Sequence, residues 1–111
     1  MTKAWQPYAH HILDAIDKIS RIQMRGNIIS DEVLYDATLR NLQTLSEAAQ
    51  RLSEIKSSLC PDIPWREISG FRNILVHNYL GDIDPLTIVK VIEDYLPPLE
   101  RCVNSLLAND L

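Results

Sequence analysis

The chain has 111 residues, 46% of them apolar, with 15 acidic and 11 basic side chains and a formal net charge of −4. That length suits one compact domain with a single core (residues 1–111) and is too short for two, while the apolar content and scarce glycine exclude a disordered chain. The acidic balance argues against a broad nucleic-acid-coating surface but leaves room for a small basic site.

The first predicted helix runs from about Gln6 to Arg25, because Ile12, Ala15, Ile16, Ile19 and Ile22 recur at helical spacing between charged residues. Gly26-Asn27 is its stop signal. A second, long helix starts after Ser30, with Asp31 and Glu32 at its positive end. Its apolar stripe continues from Val33-Leu34 through Leu42, Leu45 and Leu52 to about Ser57. Cys60-Pro61-Asp62-Ile63-Pro64 reads as a turn, and Pro64 suits the first position of a third helix ending near Leu80-Gly81. A fourth helix begins with Asp84 as cap and Pro85 at its first position. Its inner face runs from Leu86 through Val89, Ile92, Leu96 and Leu99 to Val103, Leu106 and Leu107. Pro97-Pro98 is expected to kink or break it. No window alternates like a strand. The expected fold is therefore all-α: an antiparallel bundle of four to five helices, the last kinked at Pro97-Pro98.

No apolar run reaches the roughly 18 residues of a membrane span, and residues 1–8 lack a secretion-signal core. A cytoplasmic protein with no membrane attachment is expected. Cys60 and Cys102 lie far apart and form no C-x-x-C pair, so they are expected to be reduced and partly buried. Adjacent His10 and His11 point about 100° apart on a helix and do not readily chelate one ion. No metal site or cofactor is expected.

The densest chemistry lies in Arg72-Asn73-Ile74-Leu75-Val76-His77-Asn78-Tyr79, an R-x4-H-x-Y pattern. Metal-free RNA cleavage uses the substrate's 2'-hydroxyl to attack the neighbouring phosphate. It needs a proton acceptor, a proton donor and a cation over the developing charge. Histidine, with an unperturbed pKa near 6.5, suits the proton transfers. Arginine suits the charge, because its fork matches phosphate oxygens. Asn73 and His77 are i,i+4 neighbours and Arg72 borders them. A purely structural reading of the same residues also stands: Arg72 could pair with Glu47 or Asp36, His77 could cap a helix end, and Tyr79 could be an amphipathic rim residue. Arg21, Arg25 and Arg66 are candidates for local positive charge, each readable as part of a solvated helix face. Trp5, Tyr8 and Tyr95 read as core or rim rather than as stacking platforms.

The run Pro64-Trp65-Arg66-Glu67-Ile68-Ser69-Gly70-Phe71-Arg72-Asn73-Ile74-Leu75-Val76-His77-Asn78-Tyr79 resembles the signature helix of HepT-like HEPN ribonucleases. Tyr35 to Leu42 with Ser46-Glu47-Ala48-Ala49 resembles that family's second helix, and Asp94-Tyr95-Leu96-Pro97-Pro98-Leu99 its last. The resemblance implies a toxin of a type VII toxin–antitoxin module: a metal-independent endoribonuclease acting on tRNA or mRNA. It implies Arg72 and His77 as catalytic residues in a composite cleft of a homodimer, with Asn73 as the polar residue after Arg72 that orients His77 or the phosphate, and Glu47 as the acidic residue that holds Arg72 or else a plain surface carboxylate. It further implies an MntA-like nucleotidyltransferase antitoxin as partner, joining a higher assembly and transferring AMP to Tyr79. The competing class is a non-catalytic helical dimer that binds the nucleotidyltransferase or a nucleotide without cutting RNA. The single candidate histidine and the charge of −4 favour that class; the chemistry of the motif favours the nuclease.

Overall fold

The computed structural model describes residues 4–56, 60–77 and 83–110, with the side chains of Arg72, Ile74, Val76 and His77 not described. Among the described residues there are four helices and no strand: α1 (Gln6–Arg25), α2 (Glu32–Ile55), α3 (Trp65–His77) and α4 (Pro85–Ala108).

Local chemistry sets most boundaries. Pro7 occupies the first turn of α1, where a missing N–H costs nothing, and Gly26 closes the helix. Asn27 Oδ1 then accepts from Ile29 N at 2.9 Å, folding the connection. The Asp31 carboxylate caps α2 by accepting from Val33 N and Leu34 N. Asp84 does the same for α4 through Leu86 N at 3.0 Å, with Pro85 following it. Such caps each stabilise a helix by about 1 kcal/mol.

The helices lie side by side in the order α3, α2, α1, α4. Their directions follow from contacts at the ends. Trp5 at the start of α1 carries Lys56 Nζ, just past the end of α2, 4.6 Å from its ring centroid. Gln6 Nε2 donates to Asp110 beyond the end of α4 at 2.7 Å. Both neighbours of α1 are therefore antiparallel to it. The Tyr35 hydroxyl donates to the Ile83 carbonyl, fastening the start of α2 to the segment before α4. The core is aliphatic and continuous: Ile12, Ile16 and Ile19 meet Leu42, Leu45 and Leu52, with Ile92, Leu99 and Val103 behind and Ile68 and Leu75 from α3. Buried Thr38 and Ser46 turn their hydroxyls back to the Leu34 and Gln43 carbonyls, so neither is left unsatisfied.

The structure differs from expectation at several points. The cysteines are paired, not reduced: Cys60, before α3, and Cys102, on α4, come to a Cα separation of 6.1 Å and form a disulfide. Their sequence separation of 42 concealed a meeting that only the packing of the helices creates. Of the two outcomes expected at Pro97-Pro98, a kink or a break, the break does not occur: α4 continues through both to Ala108. The carbonyls these prolines leave without N–H partners belong to Glu93 and Asp94, both exposed and hence hydrated, while buried Leu96 and Leu99 hold the helix on either side. Val33 and Leu86, assigned to inner faces, are 75% and 61% exposed because each lies in a first helical turn, outside the packed region. The expected end of α3 near Leu80-Gly81 falls outside the described residues.

Candidate active site

The R-x4-H pattern is carried by α3. This helix is positioned by Pro64, whose carbonyl accepts from Ile68 N at 3.1 Å, and by Trp65, whose indole N–H donates to the Cys60 carbonyl at 3.1 Å. The disulfide ties the same carbonyl-bearing residue to α4. Further along, Tyr95 of α4 packs edge-on against Phe71 with ring centroids 5.4 Å apart, and its hydroxyl donates to Glu67 Oε2 at 2.6 Å. That hydrogen bond raises the Tyr95 pKa, helped by desolvation and by the charges of Glu67 and Asp94. Tyr95 is thus a clamp on α3, in line with its reading as a rim residue.

Arg72, Asn73 and His77 all fall within α3, and the rise of about 1.5 Å per residue puts Arg72 and His77 about 7.5 Å apart along its axis. Arg72 sits four residues after buried Ile68 and three before buried Leu75, at a register bordering the packed side. His77 follows Gly70 by seven residues and Asn73 by four, so these three share the opposite register. Asn73 is exposed. With Arg66, Ser69 and Gly70 it lines a cavity of ≈650 Å³ whose other wall is Gln50, Ser53 and Glu54 of α2. Glu47, one turn earlier on α2, is exposed at its surface yet engaged in a contact rather than free. It lines a second cavity, ≈610 Å³, with Arg40, Gln43, Thr44 and Leu75. The fold thus brings Glu47 and the α3 motif to adjacent helices. Asp36 lies at the far end of this second cavity. Tyr79 lies outside the described residues.

Other candidates separate from the motif. Arg21 pairs with Asp17 at 3.0 Å on the exposed side of α1 and, like exposed Arg25, belongs to a solvated surface. His10 and His11 are exposed on α1. Among the described residues, no three His, Cys, Asp or Glu side chains are grouped to hold a metal ion. None of the helices is long and apolar enough to cross a membrane, again among the described residues. The sequence reading overlooked Arg40, Gln43 and Thr44. Their signal was the polar stripe Asp36, Arg40, Thr44, Glu47 and Arg51, whose spacing of three and four marks one outward face of α2.

Comparison with known proteins decides the family, because the profile of HepT-like ribonucleases matches residues 11–106. The chain belongs to the HepT-like ribonuclease family. A relative from Caldanaerobacter subterraneus subsp. tengcongensis, named as an RNase, is 30% identical over 112 aligned residues, covering 97% of this chain and 98% of its own. One from Methanocaldococcus jannaschii, also named as an RNase, is 30% identical over 68% of this chain and 69% of its own. A Thermococcus cleftensis protein named as ribonuclease HepT is 27% identical over 90% of this chain and 93% of its own. No solved structure gives a significant match. In this HepT-like chain the aligned region takes in all of α2 and α3, and so Glu47, Arg72, Asn73 and His77.

Proposed function

We propose that this HepT-like chain is the toxin of a type VII toxin–antitoxin module, a metal-independent endoribonuclease whose catalytic residues are Arg72 and His77. One observation carries the reading: a chain of the ribonuclease family places R-x4-H on a helix packed along α2, with Glu47 on the adjoining surface. In the proposed reaction His77 takes the proton of a 2'-hydroxyl, and the freed oxygen attacks the adjacent phosphorus. The P–O5' bond breaks, and the leaving oxygen collects a proton from an imidazolium. Arg72 holds the non-bridging oxygens as charge builds on them. The products are a 2',3'-cyclic phosphate and a 5'-hydroxyl. One histidine per chain serves as either base or acid, so a homodimer with two α3 helices facing one cleft supplies both. The substrate is tRNA or mRNA.

Control in this reading runs through Tyr79. A nucleotidyltransferase antitoxin directs the phenol oxygen to the α-phosphorus of ATP, releasing pyrophosphate and leaving AMP on the ring. An anion two residues from His77 occupies the cation that substrate phosphate needs. The deciding experiment incubates unmodified protein with total RNA in EDTA and analyses the new ends. The expected result is cleavage with 2',3'-cyclic phosphate ends. Absence of cleavage by a folded, unmodified chain, with retained binding of the nucleotidyltransferase, would establish the non-catalytic dimer instead.

A further inference from the structure

Because α2 has α1 on one side and α3 on the other, its outward stripe forms the floor of a trough. The α3 side of this trough is the ≈610 Å³ cavity lined by Arg40, Gln43, Thr44, Glu47 and Leu75. The α1 side is a recess of ≈280 Å³ lined by Tyr8, His11, Thr44, Glu47, Ala48 and Arg51. Thr44 and Glu47 border both, so the two hollows adjoin.

We propose that the α1 side of this trough is a nucleotide subsite. A base of single-stranded RNA, flanking the scissile phosphate, lies against Tyr8 and His11, while backbone phosphates meet Arg51 and Arg40. The proposal rests on the ribonuclease reading and extends it. Tyr8 is half-buried and packs on the core, which fixes its ring; His11 one turn later is exposed. Their ring centroids are 6.5 Å apart with planes tilted 60°, so a flat base can lie on one ring and meet the edge of the other. Arg51 has a loose charge partner, Glu54 at 3.6 Å, with both side chains more than half exposed, a contact of little strength. Exposed Arg40 forms no ion pair among the described residues. Eleven residues of helix separate the two arginines by about 16 Å. Aromatic rings beside spaced arginines are what a single strand requires, since every base has a stacking face and every linkage a charge. The recess contains no large apolar side chain to seat a protein helix, and Ala48 is its sole aliphatic wall.

The test measures binding of the full chain to 2'-O-methyl RNA, in which the attacking hydroxyl is blocked, using a dinucleotide and a longer single strand. The parent should bind the longer strand more tightly. Tyr8→Ala should weaken that binding about tenfold and leave the dinucleotide unaffected, and Tyr8→Phe should restore it. Arg51→Gln should reduce the salt slope by about 0.7. Folded variants that bind the longer strand like the parent would overturn the subsite, as would a parent that binds neither RNA. If Tyr8→Ala fails to fold, exposed Arg51→Gln decides alone. A parent that shows these effects yet never cuts unblocked RNA keeps the subsite and loses the nuclease; a parent that cuts while the variants bind normally does the reverse.

Discussion

At the scale of single residues, α3 divides its labour by register. Ile68 and Leu75 are buried, while Asn73 is exposed beside a cavity, so one helix both anchors in the core and offers polar groups outward. Replacing Leu75 is accordingly a poor test of chemistry, because it perturbs the packing that holds the motif. Tyr79 is the informative residue for control. Tyr79→Phe keeps the ring, loses the nucleophilic oxygen and should gain no AMP when incubated with the antitoxin and ATP. Intact-mass measurement should then show no added AMP unit, and the variant should escape neutralisation. A variant that still gains AMP, or is silenced as well as the parent, would move control to another tyrosine or to simple occlusion by the partner.

At the scale of elements, α3 is the shortest helix and depends on its ties. The disulfide closes a loop containing all of α3 and α4 as far as Cys102, and cross-linking a loop of that length contributes about 4 kcal/mol in the chain-entropy account. Cys102→Ser should therefore lower the unfolding free energy by about 2–4 kcal/mol. Reductant should destabilise the parent by a similar amount and leave the variant unchanged, as read by chemical denaturation. A second element-level prediction concerns Gly70. Alanine there meets no neighbour among the described residues and improves helix propensity by about 0.5–1 kcal/mol, so the isolated fold should be stabilised. If two α3 helices face one cleft, the same methyl group intrudes between copies. Gly70→Ala should then raise the melting temperature of the dilute protein but weaken self-association in sedimentation. Unchanged association would place the second copy against another face.

Much of this level was legible in the sequence, for identifiable reasons. Gln6–Arg25 was readable because proline, isoleucine spacing and glycine all agree, and the caps at Asp31 and Asp84 each precede a strong apolar stripe. The unbroken α4 was not, because whether a proline breaks a helix depends on whether water can reach the carbonyls it frees. The disulfide was not, because it exists only once the packed helices bring the turn before α3 against α4. The motif was visible as a spacing, whereas the α2 stripe beside it looked like any solvated face until its neighbours on both sides were known.

At the scale of the whole molecule, the order α3, α2, α1, α4 leaves the outer side of α2 between two neighbours, with Leu75 of the motif helix on one wall of the trough. A net charge of −4 means RNA must be held by a few placed cations rather than by an overall field. A single candidate histidine per chain means the chemistry calls for two copies. Titration of inactive chains into the parent tests the second statement. Arg72→Ala and His77→Ala proteins, each confirmed folded by circular dichroism, are assayed for RNA cleavage in EDTA alone and after exchange into the parent. Each alone should be inactive, a loss of at least about a hundredfold, and an excess of His77→Ala should silence the parent chains it pairs with, because a mixed dimer keeps one histidine where uptake and return of the proton need two. Near-parent cleavage by either variant alone, or parent activity that His77→Ala lowers no further than dilution does despite demonstrated subunit exchange, would contradict a composite Arg72–His77 site.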